Sequence, residues 1–165
     1  METKQVLPDS RMSNAIMNFL IDIPIFDSLK SDELRIVARY MNFMDFKPRE
    51  TVFQEGDKGD YVCFVADGSL NVLKKNEVGK QVIIATLNKG RSIGEMAVID
   101  DFPRSATVKA RTDSTLVILT RKGFDQILSN HPNIGVKILK GISRLLSMNL
   151  RKTSSRLADY MLPLS

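Results

Sequence analysis

The chain has 165 residues, 43% of them hydrophobic, and a net charge of +5, a size at which one domain can bury its own core. No run approaches the ~18–20 apolar residues of a transmembrane helix, and Met1–Ser10 lacks the basic-then-apolar pattern of a secretory signal, so a cytoplasmic protein with no membrane contact is expected. A single cysteine, Cys63, argues against a disulfide framework or a cysteine-based metal site and reads as a buried small hydrophobe.

Residues 1–11 read as a flexible, polar N-terminus and residues 12–165 as one domain. Ile16, Met17, Phe19 and Leu20 predict a short helix over Ser13–Leu20, which Pro24 ends. Ser31-Asp32-Glu33-Leu34 offers a second helix start, followed by apolar positions at Val37, Ala38 and Met41. From about Phe43 to Thr120 the texture becomes short β-rich runs. These are Phe43–Phe46, Thr51–Phe53, Tyr61–Ala66, Ser69–Leu73, Gln81–Leu87, Ala106–Ala110 and Ser114–Leu119, separated by turns such as Glu55–Asp60, Asp67-Gly68 and Asn88–Gly90. Seven strands at this spacing predict an antiparallel sandwich or barrel over about 43–120. Helices at both ends make the class mainly β with flanking helices (α+β), and no βαβ alternation supports a parallel sheet.

Helical signals return over about 122–161. Lys122–Asn130 predicts a short helix ended by His131-Pro132. A long helix follows with one row through Leu139, Ile142, Leu146, Leu150, Thr153, Leu157 and Met161, and a partial second row through Ile138, Ile142, Leu145 and Asn149. Two rows predict two contact surfaces, one on the barrel and one on another copy of the chain, as against a single broad core-facing stripe. Lys137, Lys140, Arg144, Arg151, Lys152 and Arg156 against Asp159 place the whole charge excess after Pro132. That segment is either a solvated helix face or a handle for an acidic partner or nucleic acid.

The stretch Ile93–Thr107 carries the chemistry. Gly94 opens an apolar turn in which Glu95–Ile99 can form a short helix whose first N–H groups lack intrahelical partners. Arg104 adds a planar, permanently charged fork suited to two phosphate oxygens. Glu95 would repel that anion unless it accepts hydrogen bonds from another part of the ligand, such as a sugar hydroxyl. The alternative is a structural ion pair between Glu95 and Arg104 across the turn.

These pieces, with Ile23-Pro24-Ile25-Phe26, Phe53-Gln54-Glu55-Gly56-Asp57, Asp67-Gly68-Ser69, Gly94-Glu95 and Pro103-Arg104-Ser105-Ala106 in this order, resemble the cyclic nucleotide-binding domain family. That family includes the catabolite activator protein, the regulatory subunit of cyclic-AMP-dependent protein kinase and the cyclic-nucleotide-gated channels. The resemblance spans roughly Phe19–Tyr160 and implies an antiparallel β jelly-roll barrel with N-terminal helices and a long C-terminal helix. It implies a ligand-binding set of Gly94, Glu95, Met96, Ala97, Arg104, Ser105 and Ala106, with Arg104 on the cyclic phosphate and Glu95 on the ribose 2′-hydroxyl. Asn149 or Thr153 of the long helix would contact the base. Ala106 stands where cyclic GMP binders of the family often carry threonine, which favours cyclic AMP over cyclic GMP.

The expected function is a stand-alone cyclic nucleotide sensor, without further cofactor, that signals through its C-terminal helix to a homodimer mate or an unidentified protein partner. A degenerate member that binds no ligand and serves as a dimerisation scaffold is the alternative. An enzyme is not expected: jelly-roll metal enzymes converge two or three histidines on the metal, and this chain has only His131. The activator branch continues into a helix-turn-helix domain, and only Leu162–Ser165 follow here, so DNA recognition of that kind is not expected.

Overall fold

The computed structural model describes residues 10–161. Most of the N-terminal segment expected to be flexible therefore lies outside the described residues. Its last two residues, Ser10 and Arg11, belong to the first helix, α1, which spans Ser10–Leu20 rather than starting at Ser13. The inward stripe of α1 is Ser13, Ile16 and Leu20, and a helix needs a turn ahead of its first inward position to close the hydrogen bonds there. A 3₁₀ turn at Pro24–Phe26 follows, with Ile23 extended ahead of the proline. Helix α2 spans Ser31–Ala38 and starts at the expected Ser31. The Lys30 N–H donates to the Glu33 carboxylate at 2.8 Å, so the side chain of the third helical residue reaches back to satisfy the preceding donor.

Eight strands follow: β1 (Met41–Phe46), β2 (Thr51–Phe53), β3 (Tyr61–Asp67), β4 (Ser69–Lys75), β5 (Gln81–Asn88), β6 (Ser92–Ile93), β7 (Thr107–Ala110) and β8 (Ser114–Thr120). They form two four-stranded antiparallel sheets ordered β1-β8-β3-β6 and β2-β7-β4-β5. The expected jelly roll is thus two packed sheets rather than a closed barrel. The seven predicted strands are all present. The addition is β6, only two residues long and too short to show a period.

Alternation along β3 and β8 explains the layering. Val65, Cys63, Leu116 and Ile118 point into a core shared with Val52, Phe53, Leu70, Val72, Val108 and Ala110 of the second sheet. On the opposite face, Val62, Phe64, Val117 and Leu119 pack against the helices through Ile16, Leu20, Phe26, Val37, Phe124 and Ile138. Cys63 is fully buried and burial pushes its thiol up to about 12, so it behaves as the small hydrophobe expected of it.

Helix α3 spans Arg121–Asn130, capped by the Thr120 hydroxyl, which accepts from the Gly123 N–H at 3.0 Å. Helix α4 runs from Pro132 to Met161. Its first half is held closely: Ile134, Ile138 and Ile142 are buried, and a Cβ on Gly141 would lie 2.0 Å from the Ile25 carbonyl oxygen, so no other residue lets the helix cross the 3₁₀ turn at this distance. Lys137 pairs with Glu33 at 2.7 Å and Arg144 with Asp27 at 2.7 Å, which ties two of the basic residues to the N-terminal helical layer. From Ser147 to Met161 every residue is exposed. The single-stripe reading therefore fails for the distal half, whose Leu150, Leu157 and Met161 are exposed and meet no core among the described residues. Among the described residues no helix is long and apolar enough to cross a membrane.

Candidate functional site: one acid and one arginine in a single pocket wall

The segment between β6 and β7 leaves the sheets and returns, and its course is fixed by a glycine and a backbone clip. Gly94 sits at φ 83°, in the left-handed region, and a Cβ there would meet Arg104 Nη1 at 2.4 Å. Both the turn and the room for the guanidinium therefore need glycine. The expected short helix is a 3₁₀ turn over Glu95–Val98, closed by Ala97 N–H to Gly94 O at 3.1 Å. Further on, Arg104 N–H donates to Asp57 O at 2.8 Å and Gly56 N–H donates to Arg104 O at 2.9 Å. These bonds, with a bridge between Lys58 and Pro103, clip the arginine's backbone to the β2–β3 loop.

An open cleft with a cavity volume of about 100 Å³ lies against this segment. Gly94, Glu95, Met96, Ala97, Arg104, Ser105 and Ala106 all line it, so the structure brings together seven of the nine predicted ligand residues. Asn149 and Thr153 are exposed on the distal half of α4 and do not line the cleft. Phe53, Ile93, Asp100, Phe102 and Pro103 also contribute to its wall. Among these lining residues Phe53 alone comes from outside the Ile93–Thr107 stretch, and the loop that folds β2 back onto this segment carries no sequence period from which its neighbour could be read.

Glu95 and Arg104 are 7% and 6% exposed. Among the described residues no ion pair joins them, so the cross-turn ion pair is absent. Glu95 Oε2 and Arg104 Nε are instead buried polar atoms without a hydrogen-bond partner among the described residues. Burial pushes the Glu95 carboxyl above the usual carboxylate range, offset in part by its own backbone N–H and the charge of Arg91. The Arg104 guanidinium donates to Tyr61 O at 2.8 Å and Gly94 O at 3.5 Å. Ser105 is exposed, and its carbonyl accepts from Lys74 Nζ at 2.6 Å, a lysine also paired with Glu55 at 2.6 Å. Native proteins leave few buried polar groups unsatisfied because each costs about 1–3 kcal/mol, more when charged. A buried acceptor and a buried donor, unspent on each other in one cleft wall, are complementary to a ligand that carries both a hydroxyl and an anion.

A wall of this kind, on a jelly roll between flanking helices, has the donor and acceptor set suited to a small anion that carries a hydroxyl. The chain belongs to the cyclic nucleotide-binding domain family, whose profile matches residues 43–131. It is 36% identical over 110 residues to a cAMP-dependent protein kinase regulatory subunit of Yarrowia lipolytica, covering 67% of this chain and 28% of that one. To a CRP-like cAMP-activated global transcriptional regulator of Mycobacterium tuberculosis it is 24% identical over 137 residues, covering 83% and 59%. A solved cyclic nucleotide-binding domain from Methylobacillus flagellatus superposes with a TM-score of 0.81 at 30% identity, covering 92% of this chain and 85% of that one. The chain thus spans about a quarter to three fifths of the length of these two curated relatives.

Proposed function

We propose that this chain is a non-enzymatic, cytoplasmic cyclic nucleotide sensor, with cyclic AMP favoured over cyclic GMP. The observation that carries the reading is the pair of buried, mutually unbonded groups, Glu95 and Arg104, in one cleft wall. Arg104 takes the cyclic phosphate through its fork, aided by the backbone of Ser105 and Ala106, while Glu95 accepts from the ribose 2′-hydroxyl. Gly94, Met96 and Ala97 shape the adjoining wall. Ala106 offers no hydroxyl to a guanine, and relatives named for cyclic AMP on both the kinase and the transcription-factor side support the preference. A cGMP-dependent protein kinase of Plasmodium berghei is 31% identical over 121 residues, which keeps cyclic GMP as the competing ligand.

The output of the sensor is α4. Its proximal half is anchored and its distal half is bare, so ligand-dependent repositioning of the bare half would be read by a second copy or another protein. Asn149 and Thr153 would reach the base only by such a movement, or from a dimer mate. Ligands that bind the folded state raise its melting temperature by mass action. Melting the protein against increasing cyclic AMP tests the reading: a saturable rise is expected, and an unchanged melting temperature at millimolar cyclic AMP and cyclic GMP would favour the ligand-free dimerisation scaffold.

A further inference from the structure

Arg104 is held by more than its backbone. Its guanidinium carbon lies 3.9 Å from the centroid of the Phe53 ring and 4.6 Å from that of Tyr61. The two rings stand at 71° with centroids 6.2 Å apart, so they form a corner around the cation rather than a parallel sandwich. Tyr61 acts twice, since its main-chain carbonyl also accepts from Arg104 Nη2 at 2.8 Å. Its ring is itself pinned, because the phenol donates to Val52 O at 2.6 Å, one residue before Phe53 on β2. Gly94 O completes the seat at 3.5 Å from Nη1.

An arginine carries five N–H donors in a fixed fork. The seat engages one hydrogen of each terminal nitrogen through a carbonyl and sets the two rings against the cation from two sides of a corner. The buried, unpartnered Nε–H and the second hydrogen of each terminal nitrogen remain unspent, donors of the kind that pair with the oxygens of an anion. Aromatic faces attract the cation without consuming a hydrogen, so the rings hold the side chain still while leaving those donors free. A ligand then meets an arginine whose rotamer freedom has already been lost, the condition under which preorganisation raises affinity.

Resting on the cyclic nucleotide reading, we infer that Phe53 and Tyr61 are positioning residues for the phosphate site: an aromatic corner that seats the Arg104 guanidinium before ligand arrives and thereby sets phosphate affinity. Neither ring is given a contact with the phosphate, and both act through Arg104. Lysine at 104 would not use this seat, because a compact ammonium lacks both the flat face and the fork.

The test has one arm without ligand and one with it. In the free protein, labelled at arginine nitrogen and assigned with Arg104→Lys, the Arg104 Nε–H resonance is expected to be slow to exchange and displaced by ring current. Phe53→Leu should return it towards the position of exposed arginines. In calorimetric titration with cyclic AMP, Phe53→Leu should weaken binding about 5- to 30-fold, the reach of a desolvated cation–π contact, and should have little effect in an Arg104→Ala background. Tyr61→Leu, which keeps the main-chain carbonyl, provides the second variant should Phe53→Leu fail to fold. An Arg104 resonance indifferent to either ring would overturn the seat. Equal weakening with and without Arg104, or wild-type affinity in a folded ring variant, would overturn the positioning role while leaving nucleotide sensing intact. A wild-type protein with the displaced resonance that binds neither cyclic AMP nor cyclic GMP contradicts the sensing reading and the phosphate role together.

Discussion

Replacing Glu95 by glutamine should move stability and ligand affinity in opposite directions. The carboxylate is 7% exposed with Oε2 unpartnered, and burial raises its pKa in the folded state. A raised folded pKa means that the folded protein holds this proton more tightly than the unfolded chain. The stabilisation it provides is present below the ordinary carboxylate value, about 4.3, and is lost as pH rises through the higher folded value. Glutamine does not titrate, so the ligand-free variant should melt above wild type at pH 8, with the gap shrinking towards pH 4.5. An unsatisfied buried charge costs more than the roughly 1–3 kcal/mol of a neutral buried polar group, and the glutamine amide, itself polar, gives back part of that, so the gap is on the order of 1 kcal/mol. At about 2–4 °C per kcal/mol for a chain of this size, melting should rise by a few degrees. Binding should go the other way. A hydrogen bond to a charged acceptor contributes about 1.5–3 kcal/mol, so cyclic AMP affinity should fall roughly 10- to 150-fold. Calorimetric melting across pH, with and without cyclic AMP, reads both effects. A ligand-free variant less stable than wild type at pH 8, or a gap that does not change with pH, would refute the claim that Glu95 is held at a cost for the ligand.

Arg104→Ala should cost about 2–5 kcal/mol in binding, the scale for removing one partner of a desolvated charge pair; titration with cyclic AMP checks it. Ile142→Ala, which removes a buried anchor of α4, should destabilise the fold by about 2–5 kcal/mol in urea unfolding. Leu157→Ala on the bare half should stay within about 0.5 kcal/mol for the isolated chain. Static light scattering with and without cyclic AMP should show a dimer in at least one state, and a monomer under every condition would refute pairing through distal α4.

The cleft segment was legible because its chemistry is local. Gly94, Glu95, Arg104 and Ser105 lie within one short span, and a glycine beside a buried acid and a fork-shaped cation carries meaning without knowledge of distant neighbours. The strands were legible for a related reason: Tyr61–Ala66 and Leu116–Leu119 are continuous apolar runs because both faces are covered, one by the second sheet and one by the helices. Whether the sheets close into a barrel depends on pairing across the whole domain, and no single strand encodes it. The task of Phe53 and Tyr61 is not legible in the sequence because it depends on a contact between β2, β3 and a residue more than 40 positions later, while each ring alone looks like ordinary core. For α4, the spacing of three and four identified the helix but could not say where its partner ended. Only packing shows that Ile142 is the last residue of that helix to be buried.

The most direct measurement is isothermal titration of the folded wild-type protein with cyclic AMP and with cyclic GMP over a range of temperatures. One site per chain, with cyclic AMP the tighter ligand, is the predicted result. No heat from either nucleotide at any temperature would contradict the account.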